Sequence, residues 1–276
     1  MIHITVQNKK IPALGLGTWQ LEGVRCEEAV EKALGIGYRH IDTAQIYKNE
    51  GEVGAAILRS GLKREDIFLT TKVWINTLGD GAMQKSVYES LKKLRTDYVD
   101  MLLIHWPVGV VPFSEQMKGL RQMQADGNAK LIGVSNFTVA QMREVAENIG
   151  ANVANNQVEY HPYLAQQPVL DYVRAHDMFL TAYAPLAHGR AGEDEKLKEI
   201  GKRHGKTPGQ VSLRWLVQQD KVAAIPKAGS EKHLRENFEI FDFELEAAEM
   251  KEIAALARPD GRIFSPDWAP EWDKAA

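Results

Sequence analysis

The feature that most constrains this chain is an alternation. Short apolar runs of strand length are separated by longer segments whose apolar residues recur with helical spacing. The runs are LGLGT (14–18), YRHID (38–42), IFLTTKV (67–73), VDMLLIHW (99–106), LIGVS (131–135), VANNQVEY (153–160), FLTAYAP (179–185) and VAAIP (222–226). Between them lie sets such as Cys26, Val30, Ala33 and Leu34, or Met83, Val87, Leu91 and Leu94, each falling on one helical face. VDMLLIHW is almost continuously apolar, as a strand buried on both faces must be. Eight strand-like runs in βα alternation favour a closed (β/α)8 TIM barrel over an open sheet. A length of 276 residues fits either two small domains or one large barrel. No linker rich in Pro, Gly or Ser divides the chain, so a single domain over residues 1–276 is the simpler expectation. Ahead of the first run, HITVQNKKIPAL reads as an N-terminal β-hairpin around Gln7, Asn8 and Lys9, placed to cap the barrel's N-terminal end. The tail RPDGRIFSPDWAPEWDKAA, with three prolines and two tryptophans, reads as irregular.

Composition narrows the class. Hydrophobic residues make up 44% and charged residues 26%, the balance of a soluble globular protein. The formal net charge is −3 with no long basic run, which points away from nucleic acid and from acidic membranes. The first residues lack the apolar core of a signal peptide, and no apolar run approaches the ~20 residues needed to span a bilayer. The single cysteine, Cys26, has no internal partner and argues for a reducing compartment; the cytoplasm is the expected location. Cys26 itself reads as a small helix-core residue. A monomer is expected.

In a barrel, the loops leaving the strand C-termini build the site. Here the apolar runs end in polar groups: Asp42, Lys72, His105, Ser135 and Asn136, Gln157, and Tyr183. Each alone has an ordinary structural reading. Asp42 would be a turn residue, and His105 a satisfied core histidine. As a set converging on one mouth, they suit reduction of a carbonyl, which needs an acid and stabilisation of the developing oxyanion. Tyr47 is a weak acid with a reference pKa of ~10 unless a cation favours its phenolate, and Lys72 is placed to supply that charge. A buried Asp42 needs a partner, and Lys72 is the obvious one. His105 can donate to the substrate oxygen, although the sequence leaves open which ring nitrogen carries the proton.

These residues also carry a family resemblance. IDTAQIYKNEGEVGAAI, TTKVW, LIHWP, GVSNF, NQVEYHP and IPKAGSEKHLREN resemble, in order and spacing, the successive motifs of the aldo-keto reductases, from residue 15 to residue 238. AQIYKNE, LRTDYVD and SPDWAPEWD are most similar to the short bacterial reductases of 2,5-diketo-D-gluconate and of 2-oxoaldehydes such as methylglyoxal. The resemblance implies a barrel that holds NADPH across its C-terminal rim without a Rossmann fold. It implies Tyr47 as proton donor, Lys72 lowering its pKa, Asp42 paired with Lys72, and His105 orienting the carbonyl. Ser135, Asn136 and Gln157 would bind the nicotinamide carboxamide, and Tyr183 would stack on its ring. Leu186 lies in the segment along the pyrophosphate. Lys227 and Ser230 correspond to groups around the adenosine 2′-phosphate, with Glu236 and Asn237 near the adenine. Trp19, Trp74 and Trp106 follow strand ends and are expected to wall the substrate pocket, with Trp268 closing it from the tail.

One departure bears on the cofactor. His233 stands where NADPH-preferring members carry arginine, and Ala228 replaces a hydroxyl residue. A neutral imidazole gives only fractional charge where a guanidinium gives a permanent fork. Lys227 still favours a phosphate, so NADPH is expected with weakened preference and with NADH use possible. Arg235, two positions further along the helix, is expected to point elsewhere. His3, His40, His105 and His161 lack metal-ligand spacing, so no metal is expected. His40, His161 and Trp215 read as structural, and GEDEKLKEIGKRHGK as a solvated helix face. The competing class is a cofactor-binding redox sensor or accessory protein with little turnover; the complete set of Asp42, Tyr47, Lys72 and His105 favours the enzyme.

Overall fold

A computed structural model describes residues 1–79, 81–108 and 110–274. Ten strands appear among them: β1 (His3–Val6), β2 (Lys9–Pro12), β3 (Leu16–Gly17), β4 (His40–Asp42), β5 (Phe68–Val73), β6 (Val99–Ile104), β7 (Ala129–Ser135), β8 (Asn155–Glu159), β9 (Phe179–Tyr183) and β10 (Val222–Ala224). The helices are α1 (Gly23–Ile36), α2 (Glu50–Arg59), α3 (Ala82–Leu94), α4 (Phe113–Ala125), α5 (Val139–Arg143, continued by a wider π-helical turn), α6 (Gln167–Ala175), α7 (Glu195–His204), α8 (Pro208–Val217), α9 (Glu231–Phe238) and α10 (Ala247–Ala254).

β3 to β10 pair in parallel in chain order. The seam between first and last strands is closed by a parallel bridge from Leu14 to Ala224. Backbone bonds from Gly15 N to Ala224 O and from Gly17 N to Pro226 O extend it. The eightfold alternation therefore closes into the expected (β/α)8 barrel. Its strands are buried on both sides, β5 along its whole length, which is why they read as near-continuous apolar runs. The helices shield them with single apolar faces. Cys26, Val30, Ala33 and Leu34 of α1, and Met83, Val87, Leu91 and Leu94 of α3, are all buried.

The hairpin β1–β2 turns on two residues, Gln7 and Asn8, both left-handed (φ 48° and 60°), and Lys9 already pairs with Val6. That two-residue turn matches the right-handed twist of the strands it joins. His40 in β4 donates from Nδ1 to the Pro12 carbonyl at 3.1 Å, tying the hairpin under the barrel, which is the structural role expected of it. The chain beyond α10 has no regular element among its described residues, and it packs back across the strand C-termini. No described helix is long and apolar enough to cross a membrane.

Candidate active site

Each strand delivers one or two polar groups to the same mouth. Asp42 ends β4, and the chain then turns through a single 3-10 turn, Gln45–Tyr47, that places the tyrosine over it. Asn49 fixes this turn. Its side-chain amide donates to the Thr18 and Leu21 carbonyls at 2.8 and 2.9 Å, and its oxygen accepts from the Thr43 hydroxyl at 2.7 Å. Gln45 accepts from the Trp74 N–H at 2.9 Å and donates to Ser86 and Ser90 of α3, so the loops after β4 and β5 hold each other.

Lys72, fully buried in β5, spends all three ammonium protons on named acceptors: Asp42 Oδ1 at 2.5 Å, the Thr43 carbonyl at 2.9 Å and Tyr47 Oη at 3.4 Å. Asp42 uses its second oxygen to accept from Gln157 Nε2 at 2.7 Å. Because Tyr47 Oη accepts from Lys72, its own proton is free to point into the cavity. His105, just beyond β6, packs edge-on against Tyr47 (5.7 Å between centroids) and Trp74 (5.1 Å). Its Nδ1 is buried with no hydrogen-bonding partner among the described residues. An orphaned N–H is costlier than an unused lone pair, so the proton is assigned to Nε2.

Burial, and then the Asp42 carboxylate, hold the Tyr47 phenol well above its ordinary value. The Lys72 ammonium beside it is shared with Asp42 and the Thr43 carbonyl, so its charge reaches Tyr47 only in part. Burial drags the Lys72 ammonium below its usual value while Asp42 pulls it back up. Burial, and then the neighbouring Lys72, push His105 well below the usual imidazole range, so the ring is neutral at neutral pH.

Beside this cluster lie Ser135, Asn136, Gln157 and Tyr183. Asn136 is left-handed (φ 64°), a conformation asparagine tolerates, and this turns its side chain back over the strand ends. Its Nδ2 donates to the His105 carbonyl and to Ser135 Oγ, and its Oδ1 accepts from the Tyr183 hydroxyl at 2.9 Å. Ser135 donates to the Gln157 carbonyl at 2.8 Å. What remains open to a bound carboxamide is acceptor capacity on Gln157 Oε1 and Asn136 Oδ1, beside the Tyr183 ring. That donor and acceptor set suits a nicotinamide.

One cavity of about 710 Å³ gathers these groups. It is lined by Asp42, Tyr47, His105, Ser135, Asn136, Gln157, Tyr183, Trp19, Trp74 and Trp106, and it runs on past Leu186 and Gly189 to Lys227. Six of the sequence-derived residues are not on its wall: Lys72, which lies behind Tyr47, Ser230, His233, Glu236, Asn237 and Trp268. Ser230 caps the N-terminus of α9, accepting from the His233 N–H, while His233 is exposed in the first turn and Glu236 and Asn237 lie near the helix's end. Arg235 is bound to Glu231 at 2.8 Å and so does point away, as expected. Trp268 does not close the cavity. Its ring stands edge-on behind Trp106 at 4.9 Å, because the tail crosses the mouth earlier, through Ile263 and Phe264. Those two residues and Glu159 are wall components that the sequence reading missed. Glu159 was within reach of it: two residues after Gln157 in one strand, it must face the same side.

Comparison with known proteins agrees with this geometry. The profile of the Aldo/keto reductase family matches residues 13–258. The methylglyoxal reductase DkgB of Escherichia coli O157:H7 is 42% identical over 95% of this chain and 99% of its own length. The glyoxal reductase of Bacillus subtilis (strain 168) is 39% identical over 94% and 93%. A crystal structure assigned as a 2,5-diketo-D-gluconic acid reductase B superposes with a TM-score of 0.97 at 50% identity, covering 99% of this chain and 98% of that one. With barrel, buried Asp–Lys pair, tyrosine and histidine all in place, the chain belongs to the aldo/keto reductase family.

Proposed function

We propose that this aldo/keto reductase reduces small uncharged 2-oxoaldehydes, of which methylglyoxal is the type, with NADPH as the preferred cofactor. A nicotinamide held here would supply the hydride, and the remaining steps fall to the protein's own residues. His105 donates from Nε2 to the carbonyl oxygen and orients it toward Tyr47. Tyr47 delivers its proton to that oxygen as negative charge develops there. Lys72, 3.4 Å behind the phenol, stabilises the phenolate left behind, and Asp42 keeps the lysine charged and aimed. Ser135, Asn136 and Gln157 would hold the carboxamide of the cofactor, and Tyr183 would support its ring. Lys227 would take the 2′-phosphate, with His233 a weak helper.

The observation that carries the substrate class is the charge of the wall. Among the described lining residues the only lysine is Lys227, which the cofactor engages, and there is no arginine. The substrate end is made of Trp19, Trp74, Trp106, Ile263 and Phe264, with a carboxylate, Glu159, in its floor. The nearby Arg262 is already faced by the Glu159 and Asp273 carboxylates, so a sugar acid would bring its carboxylate to a wall with no free cation, whereas a 2-oxoaldehyde brings none. Loss of reduced-cofactor absorbance with methylglyoxal and with 2,5-diketo-D-gluconate tests this. The expected kcat/KM favours methylglyoxal by at least about tenfold, the equivalent of ~1.4 kcal/mol; equal or reversed values refute the substrate reading. NADPH should be preferred to NADH by less than about a thousandfold, the difference between a full phosphate clamp and a partial one.

A further inference from the structure

We propose that Glu159 is a positioning residue that sets substrate specificity by clamping the C-terminal tail as a wall of the active site. Glu159 ends β8, two residues after Gln157, and is fully buried. Its two carboxylate oxygens accept from two consecutive tail amides: Ile263 N at 2.7 Å on Oε1 and Phe264 N at 2.8 Å on Oε2. A third donor fixes its orientation. The Tyr163 N–H donates to His161 Nδ1, which places the ring proton on Nε2, and Nε2 donates to Glu159 Oε1 at 2.9 Å. His161 is thus structural, as its sequence context suggested, but in the service of this clamp.

The two clamped residues are the ones that line the cavity from the tail. Phe264 reaches Trp106 (5.8 Å between centroids) and Trp19 (6.3 Å), two of the indoles that face the substrate end. The peptide on either side has no strand or helix to hold it. A charged acceptor bonded to two successive N–H groups makes strong, short bonds, so the wall's position is set by a barrel strand and not by the tail's own stiffness. The same strand therefore presents Gln157 to the reacting end and Glu159 to the wall, and fixes the distance between them. A small carbonyl compound depends on that wall for contact and water exclusion. A bulky one gains room when it loosens.

This inference rests on the reductase reading above, and its test separates the two. In Glu159→Gln one oxygen becomes an N–H₂ group facing an amide donor, so one clamp bond is lost. Amide exchange measured by mass spectrometry on the whole enzyme should then speed up by about tenfold or more in the peptide holding Ile263 and Phe264, with β4 and β5 unchanged, since local opening reports lost hydrogen bonds. That readout needs no turnover, so it stands even if the carbonyl-reduction reading fails. In turnover, KM for methylglyoxal should rise about tenfold with kcat falling less than threefold, while KM for phenylglyoxal rises less or falls. If Glu159→Gln does not fold, Ile263→Pro removes one donor from the other side and should give the same exchange and KM pattern. Unchanged tail exchange, or equal KM changes for the small and the bulky aldehyde, would overturn the proposal.

Discussion

At Tyr47 the direction of proton flow follows from the groups behind the ring. The phenol is held well above its usual value by burial and by Asp42, so it is protonated throughout the neutral range. A proton donor to a developing alkoxide has no need of a lowered pKa, because the alkoxide is the far stronger base. Reduction should therefore keep a flat kcat from about pH 6 to 9, whereas alcohol oxidation, which needs the phenolate, should climb by up to about tenfold per pH unit. An oxidation rate independent of pH would argue against Tyr47. Tyr47→Phe removes the acid and leaves the wall's shape, so kcat should fall by about 10²–10⁴-fold with cofactor binding retained; turnover near wild type would exclude the assignment. Lys72→Met carries a second cost. It leaves Asp42 buried with only Gln157 as a side-chain partner, and breaking such a pair destabilises by about 3–5 kcal/mol. Denaturant unfolding and kcat must be read together. A variant that stays folded yet turns over normally would remove Lys72 from the mechanism.

At the scale of the element, α9 is where the proposed cofactor preference can be tested. Its N-terminus carries the Ser230 cap and an exposed His233, while Arg235 is spent on Glu231 one turn back. An arginine at 233 would add a permanent charge in the exposed first turn, with Glu236 one turn on along the helix. His233→Arg should lower KM for NADPH by about tenfold and leave KM for NADH nearly unchanged, the mark of a phosphate contact. Equal effects on both cofactors would place His233 outside the phosphate site. The elements also show what the sequence made legible. Strands buried on both faces, and helices with one apolar face, announce themselves by period, and so do the polar residues that interrupt them at the strand ends. The tail does not. Ile263 and Phe264 sit in a segment without period, and their role depends on a carboxylate more than a hundred residues earlier in the chain. Trp268 looked like a wall residue because it is an indole near the end of the chain, but its distance from the mouth is set by tertiary packing alone. The surroundings of Tyr47 were hidden for a related reason: sequence shows that a lysine is near, but not with whom it shares its charge.

For the whole molecule, closing the barrel around polar residues has a pH signature. His40 beneath the barrel and His105 at its mouth are both buried and held neutral, below the usual imidazole value, by burial first of all. The unfolded chain protonates such rings near pH 6.5 and the folded one resists, so stability is full above that value and declines as pH falls below it. Each ring contributes at most about 1.4 kcal/mol per pH unit in that window. A melting temperature that holds steady or rises between about pH 6.5 and 5 would contradict this. The aromatic packing of the tail has an optical consequence. Trp106 lies on the cavity wall with Trp268 and Trp272 of the tail at 4.9 and 6.1 Å between centroids. Indoles this close couple their electronic transitions, and the coupling is lost with small changes of angle. The near-ultraviolet circular dichroism of the unlabelled protein is thus a gauge of how the tail lies on the barrel, readable as the cavity fills and empties.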